Sequence, residues 1–167
     1  MYYGRWVMDK LLESSEGLYS ECSRIFDYGP CDDSKRVVAS WIMCSVALKH
    51  SSSLRQLVVN GNYTSICMMR SQFEALTRAM WLYYAASDRK VENTMSSLSE
   101  LSQNADQKPG NGEMITKMEG KAPVQAAQML IEFRDIQWKA FNSYIHGGIH
   151  ALQRHGAGCR AINSRYS

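Results

Sequence analysis

Proline is scarce in this sequence, with three in 167 residues, and each stands where a helical pattern breaks: Pro30, Pro109 and Pro123. That scarcity argues against a proline-rich linker dividing the chain. Long apolar runs are missing too. The longest lies near Val37 to Leu48 and is broken by Ser40 and Ser45, far short of the roughly 20 residues a membrane span needs. The start, Met1-Tyr2-Tyr3-Gly4-Arg5-Trp6, lacks the apolar core of a signal peptide, so a cytoplasmic protein without membrane attachment is expected. The five cysteines (Cys22, Cys31, Cys44, Cys67, Cys159) form no Cys-x-x-Cys pair, which removes the usual zinc and dithiol signatures. Cys22, Cys44 and Cys67 fall within helical patterns and read as buried, reduced thiols.

Other chemical signatures are absent as well. No glycine-rich phosphate loop occurs: Gly110-Asn111-Gly112 has the glycines but no strand before it. There is no Gly-x-Ser-x-Gly elbow. His146 and His150 are four apart, as in helical metal sites, but Gly147-Gly148 separates them and no nearby carboxylate or cysteine completes a set. No metal and no cofactor are expected. The net charge of +3 is too small to imply nucleic acid by itself. Its distribution is uneven. Residues 1–28 hold three basic and five acidic side chains, whereas residues 134–167 hold five basic and one acidic. A basic end of this kind can meet phosphate or simply be solvated.

What is present is helical periodicity. The first helix is expected from about Arg5 to Asp27, with Leu11, Leu18, Cys22 and Ile25 as its apolar stripe, stopped by Tyr28-Gly29-Pro30-Cys31. Asp32 or Asp33 offers an N-cap for the second helix. That helix shows Val37, Trp41, Cys44 and Leu48 on its buried face and reaches about Val59, with room for a kink at Ser51-Ser52-Ser53. Asn60-Gly61-Asn62 is a stop and turn. A third helix spans about Tyr63 to Ala86, with Ile66, Met69, Phe73, Leu76, Met80 and Tyr83 on one face. A more polar fourth follows from about Arg89 to Asn104, then the loop Gln107-Lys108-Pro109-Gly110-Asn111-Gly112 and a short helix to about Met118. Pro123 opens the last long helix, which runs to His146. No period-two strand pattern and no repeat occur. The fold class is therefore all-α, an up-and-down bundle of about five to six helices. One domain covers residues 1–155, and residues 156–167 form a basic tail with too few apolar residues to order itself.

Two polar constellations stand out. The third helix is apolar on nearly every side yet carries Arg70, Glu74 and Arg78 at four-residue steps, within about 80° of one another. Buried charges persist only when paired. The stripe is thus either a self-neutralised structural clamp or a device in which Glu74 aims an arginine at an anion. Trp81 on the same strip reads as packing. On the last helix, Asp135, Lys139, Asn142 and His146 fall within about 60° on one face, apart from Leu130, Phe133, Phe141 and Tyr144. At a helix C-terminus His146 either caps carbonyls or serves as an acid or base.

The order Arg-x-x-x-Glu on a central apolar helix and Asn-x-x-x-His late in the chain resembles the HEPN-like helical proteins of bacterial toxin–antitoxin, abortive-infection and anti-phage systems. The segment Phe141-Asn142-Ser143-Tyr144-Ile145-His146-Gly147-Gly148 is especially like the ending of uncharacterised members of that group. The resemblance covers about the second to the last helix. It implies a homodimer and, in members that cut RNA, arginine followed by asparagine and histidine acting without metal. Here Phe141 stands at the arginine position, and no arginine lies four to six residues before a histidine. Lys139 is the nearest cation.

Three readings follow. In the first, the chain is a non-catalytic interaction module acting through a homodimer or a protein partner; RNA is the other partner considered. In the second it is a metal-independent endoribonuclease, with His146 as acid or base, Asn142 orienting it or holding phosphate, Arg70, Arg78 or Lys139 meeting the anion, and Glu74 positioning the arginine. In the third it binds an anionic small ligand or nucleotide between the third and last helices.

Overall fold

The computed structural model describes residues 2–62, 65–96 and 109–153. Six helices lie among them: α1 (Tyr2–Phe26), α2 (Lys35–Val59), α3 (Ser65–Tyr84), α4 (Asp88–Met95), α5 (Asn111–Met118) and α6 (Val124–Ile145). Residues 149–153 are helical again. No strand occurs among the described residues, so the all-α class holds. The expected start of the third helix at Tyr63, the stretch 97–104, Gln107-Lys108, Cys159 and the basic tail 156–167 lie outside the described residues. No described helix is long and apolar enough to cross a membrane.

The long helices run antiparallel to their neighbours. The end of α1 meets the start of α2 through Phe26 and Trp41, stacked at 5.4 Å. Further along, Arg55 of α2 reaches back to the Ser15 carbonyl (3.3 Å), Glu16 (3.1 Å) and the Tyr19 ring (4.0 Å). At the other contact of α2, Ser40 Oγ donates to the Ala79 carbonyl at 2.9 Å. Helix α3 is central, packing on α2, α5 and α6. The core gathers around it: Phe73, Trp81 and Leu82 with Ala39, Val91, Met114, Ile115, Met118 and Leu130. Eight residues cannot hold a helix alone. Helix α5 persists because it buries Met114, Ile115 and Met118.

Several boundaries differ from expectation. The N-cap of α2 is Ser34, whose hydroxyl accepts from the Val37 N–H. Asp32 instead accepts from the Ser34 N–H at 2.8 Å, a local turn that sets the cap up. No break separates the helix at Ser51–Ser53. The stripe of α1 is met at Cys22 and displaced by one position elsewhere. Leu11, Leu18 and Ile25 are exposed, and the band turned to α2 is Leu12, Ser15, Tyr19, Cys22 and Phe26. Both sets satisfy helical spacing, and the large aromatic rings of the second win the contact. Cys22, Cys44 and Cys67 are half-buried rather than buried, and Cys31 is exposed.

Candidate functional site

Arg70 of α3 is the centre of the polar network. Its Nε donates to Glu74 Oε1 at 2.8 Å, one turn on. Its Nη1 donates to Asn142 Oδ1 on α6, also at 2.8 Å. The guanidinium lies over the Trp138 ring, 4.8 Å from its centre. One planar cation is thus held by a carboxylate in its own helix and by an amide and an aromatic face of the helix opposite. Trp138 and Asn142 are four apart, so they stand one above the other on α6. Arg70 keeps 20% of its side chain accessible and Glu74 39%. The pair is partly shielded from water.

Phe141, next to Asn142, is 3% exposed and packs on Phe133 at 5.7 Å. The position at which the resemblance would place an arginine therefore faces the core. Asn142 is half-buried and turned to Arg70, while Asp135, Lys139 and His146 are exposed. Arg78 is half-buried and, among the described residues, shows no hydrogen bond or ion pair. The six expected site residues thus split. Arg70, Glu74 and Asn142 come together with Trp138; Arg78, Lys139 and His146 do not join them. Trp81 is packing, 3% exposed, with its indole Nε1 unpartnered and Lys90 Nζ 5.7 Å from its ring centre.

His146 is the C-cap of α6, and its backbone N–H donates to the Asn142 carbonyl. Gly147 follows at φ +65°, its N–H on the Tyr144 carbonyl, and the Gly148 N–H donates to the Ser143 carbonyl. This is a Schellman ending. A Cβ on Gly148 would stand 2.6 Å from Ser143 Oγ and 3.1 Å from its Cα and carbonyl oxygen, so glycine is required there. Ser143 Oγ also accepts from the His150 N–H at 3.0 Å, tying the next helical stretch to α6. Ser143 and Gly148 stand in the segment that the sequence marks as the helix ending, whereas nothing in the sequence reading points to Trp138. The i, i+4 step from Trp138 to Asn142 is the signal that could have found it.

A second feature flanks the clamp. Two adjoining apolar cavities, about 340 and 420 Å³, open along α3. Leu76, Met129 and Leu130 line both. Leu76 and Tyr83, expected on the buried face, are 37% and 42% exposed here. Arg70, Arg78 and His146 line neither cavity. Among the described residues no cluster of three or more histidines, cysteines or carboxylates could hold a metal ion.

The profile of one protein family matches residues 44–164, from within α2 to beyond the last described residue. The chain belongs to the DUF6988 family. DUF6988 is described as a family of unknown function. No curated protein and no solved structure matches the chain. The DUF6988 span includes the whole Arg70–Glu74–Asn142 clamp and the Gly147-Gly148 ending.

Proposed function

We propose that this DUF6988 chain is a non-catalytic helical interaction module that works as a homodimer. The observation that carries this reading is the engagement of Arg70. Its guanidinium is held by Glu74, Asn142 and Trp138, which favours a clamp between α3 and α6 over a phosphate-binding device. RNA cleavage through the 2′-hydroxyl needs an acid, a base and a cation at the phosphate. His146 is accessible, but Asn142 is engaged and Phe141 is buried. The homodimer reading draws on the apolar surface left open along α3 and on exposed Leu11, Leu18 and Ile25, since such patches mark association sites. The setting, a bacterial defence or toxin–antitoxin-type system with a HEPN-like fold, rests on the Asn142-x-x-x-His146 resemblance.

The test is incubation of the purified chain with mixed cellular RNA and a chelator, beside His146→Ala. The proposal expects intact RNA with both proteins, and a dimer mass by light scattering. Cutting by the wild type that His146→Ala abolishes would replace it with the endoribonuclease reading. A rise in Tm with nucleotides would favour the anionic-ligand reading.

A further inference from the structure

We infer that Cys22 of α1 and Cys44 of α2 form a disulfide-competent pair that can fasten α1 covalently to the bundle. The register of the antiparallel contact places them together. Phe26 stacks on Trp41, and Arg55 meets Ser15 and Glu16 further along. Cys22 lies four residues before Phe26 and Cys44 three residues after Trp41, about one helical turn each, so the two share the next layer of the contact. Both thiols are half-buried, and Cys22 lies in the band of α1 turned to α2. A second observation agrees. Burial pushes the Cys44 thiol above its ordinary value, and the nearby Cys22 adds to the rise. Facing positions of two packed helices can approach the Cα separation a disulfide spans, about 4.4–6.8 Å.

The oxidant is a low-molecular-weight disulfide such as glutathione disulfide. The Cys22 thiolate attacks one of its sulfurs, a mixed disulfide forms and the first glutathione thiolate leaves. The Cys44 thiolate then attacks the Cys22 sulfur and expels the second. Two protein thiols are oxidised, one glutathione disulfide is reduced to two thiols, and the protein's two protons pass to them. The main packing partner of α1 is α2, so the bond fixes where α1 and its exposed apolar stripe sit. This inference stands apart from the proposed function; neither depends on the other.

The test uses the full chain treated with glutathione disulfide, alkylated and cut with trypsin without reductant. Cleavage after Lys10, Arg24, Lys35, Arg36 and Lys49 puts Cys22, Cys31 and Cys44 on separate peptides, 11–24, 25–35 and 37–49. The expected product is 11–24 linked to 37–49, absent in Cys22→Ser. It comes with a rise in Tm of roughly 5–10 °C that dithiothreitol reverses. Closure quickens as pH rises, because the Cys44 thiolate must form. The inference is overturned if both cysteines stay alkylatable, if each carries glutathione, or if the link runs to Cys31.

Discussion

Arg70 touches its partners in three different ways, and each can be removed separately. Glu74→Ala takes away the charged partner of an arginine whose side chain is largely buried. The expected loss is about 1–2 kcal/mol in denaturant unfolding. Asn142→Ala removes a charge-assisted bond and is expected to cost about 1 kcal/mol. The double variant should lose less than the two losses combined, because both act through one cation; strict additivity would mean that Arg70 does not couple them. Thiol reactivity gives a second reading at this scale. Burial holds the Cys44 thiol above its usual 9.0, so it stays protonated to higher pH in the folded chain than in the unfolded one. Its contribution to stability is present below the unfolded value and fades as pH rises through the folded one. At neutral pH an alkylating reagent should label exposed Cys31 first and Cys44 well after it, and equal rates would contradict that environment.

Helix ends explain more of the molecule than helix faces do. The last carbonyls of α3 lack partners within the helix, and Arg36 supplies them. Its Nη1 donates to the carbonyls of Leu82 (2.6 Å) and Tyr83 (3.3 Å), and its Nη2 donates to Ala86 (2.8 Å) and Asp88 (2.7 Å). Arg36→Ala is expected to cost about 2–4 kcal/mol, since it leaves several acceptors unmet near the core. Arg36→Lys should recover only part, lacking the planar fork. A loss under about 0.5 kcal/mol for Arg36→Ala would mean that water serves those carbonyls equally well. At the end of α6, Gly148→Ala forces a Cβ against the Ser143 backbone. It should loosen the turn by about 1–2 kcal/mol, read as faster amide exchange over 146–153 with α3 unchanged. Helix stops were legible because glycine and proline announce them: Gly29-Pro30, Gly61 and Gly147 all lie where chains turn, each of these glycines at positive φ. The Arg70–Glu74 pair was legible from its spacing. The Asn142 contact was not, because its partner lies 72 residues away and one sequence carries no trace of that distance. On α1 the expected face holds at Cys22 but misses by one residue at Leu11, Leu18 and Ile25, because three- and four-residue steps fit two neighbouring stripes.

At the scale of the whole molecule, the apolar surface left open is ordered rather than scattered. Leu11, Leu18 and Ile25 recur every seven residues on α1, and Met129 and Ile136 do the same on α6; all five are 59–72% exposed. Seven-residue recurrence keeps side chains on one line of a helix. Met129 also lines both cavities beside α3. A side chain that served only this chain's own core would be costly to replace with a charge. Phe73, 4% exposed and packed on Phe133 at 5.1 Å, is of that kind, and Phe73→Ala should cost about 3–5 kcal/mol. Met129→Glu and Ile136→Glu should instead change the stability of the isolated chain by less than about 0.5 kcal/mol. If the proposed homodimer forms over this surface, the same two substitutions move the light-scattering mass from dimer to monomer while the far-UV spectrum stays as it was. A wild-type chain that remains monomeric at high concentration would remove the homodimer from the proposal, and it would leave the Arg70 clamp untouched.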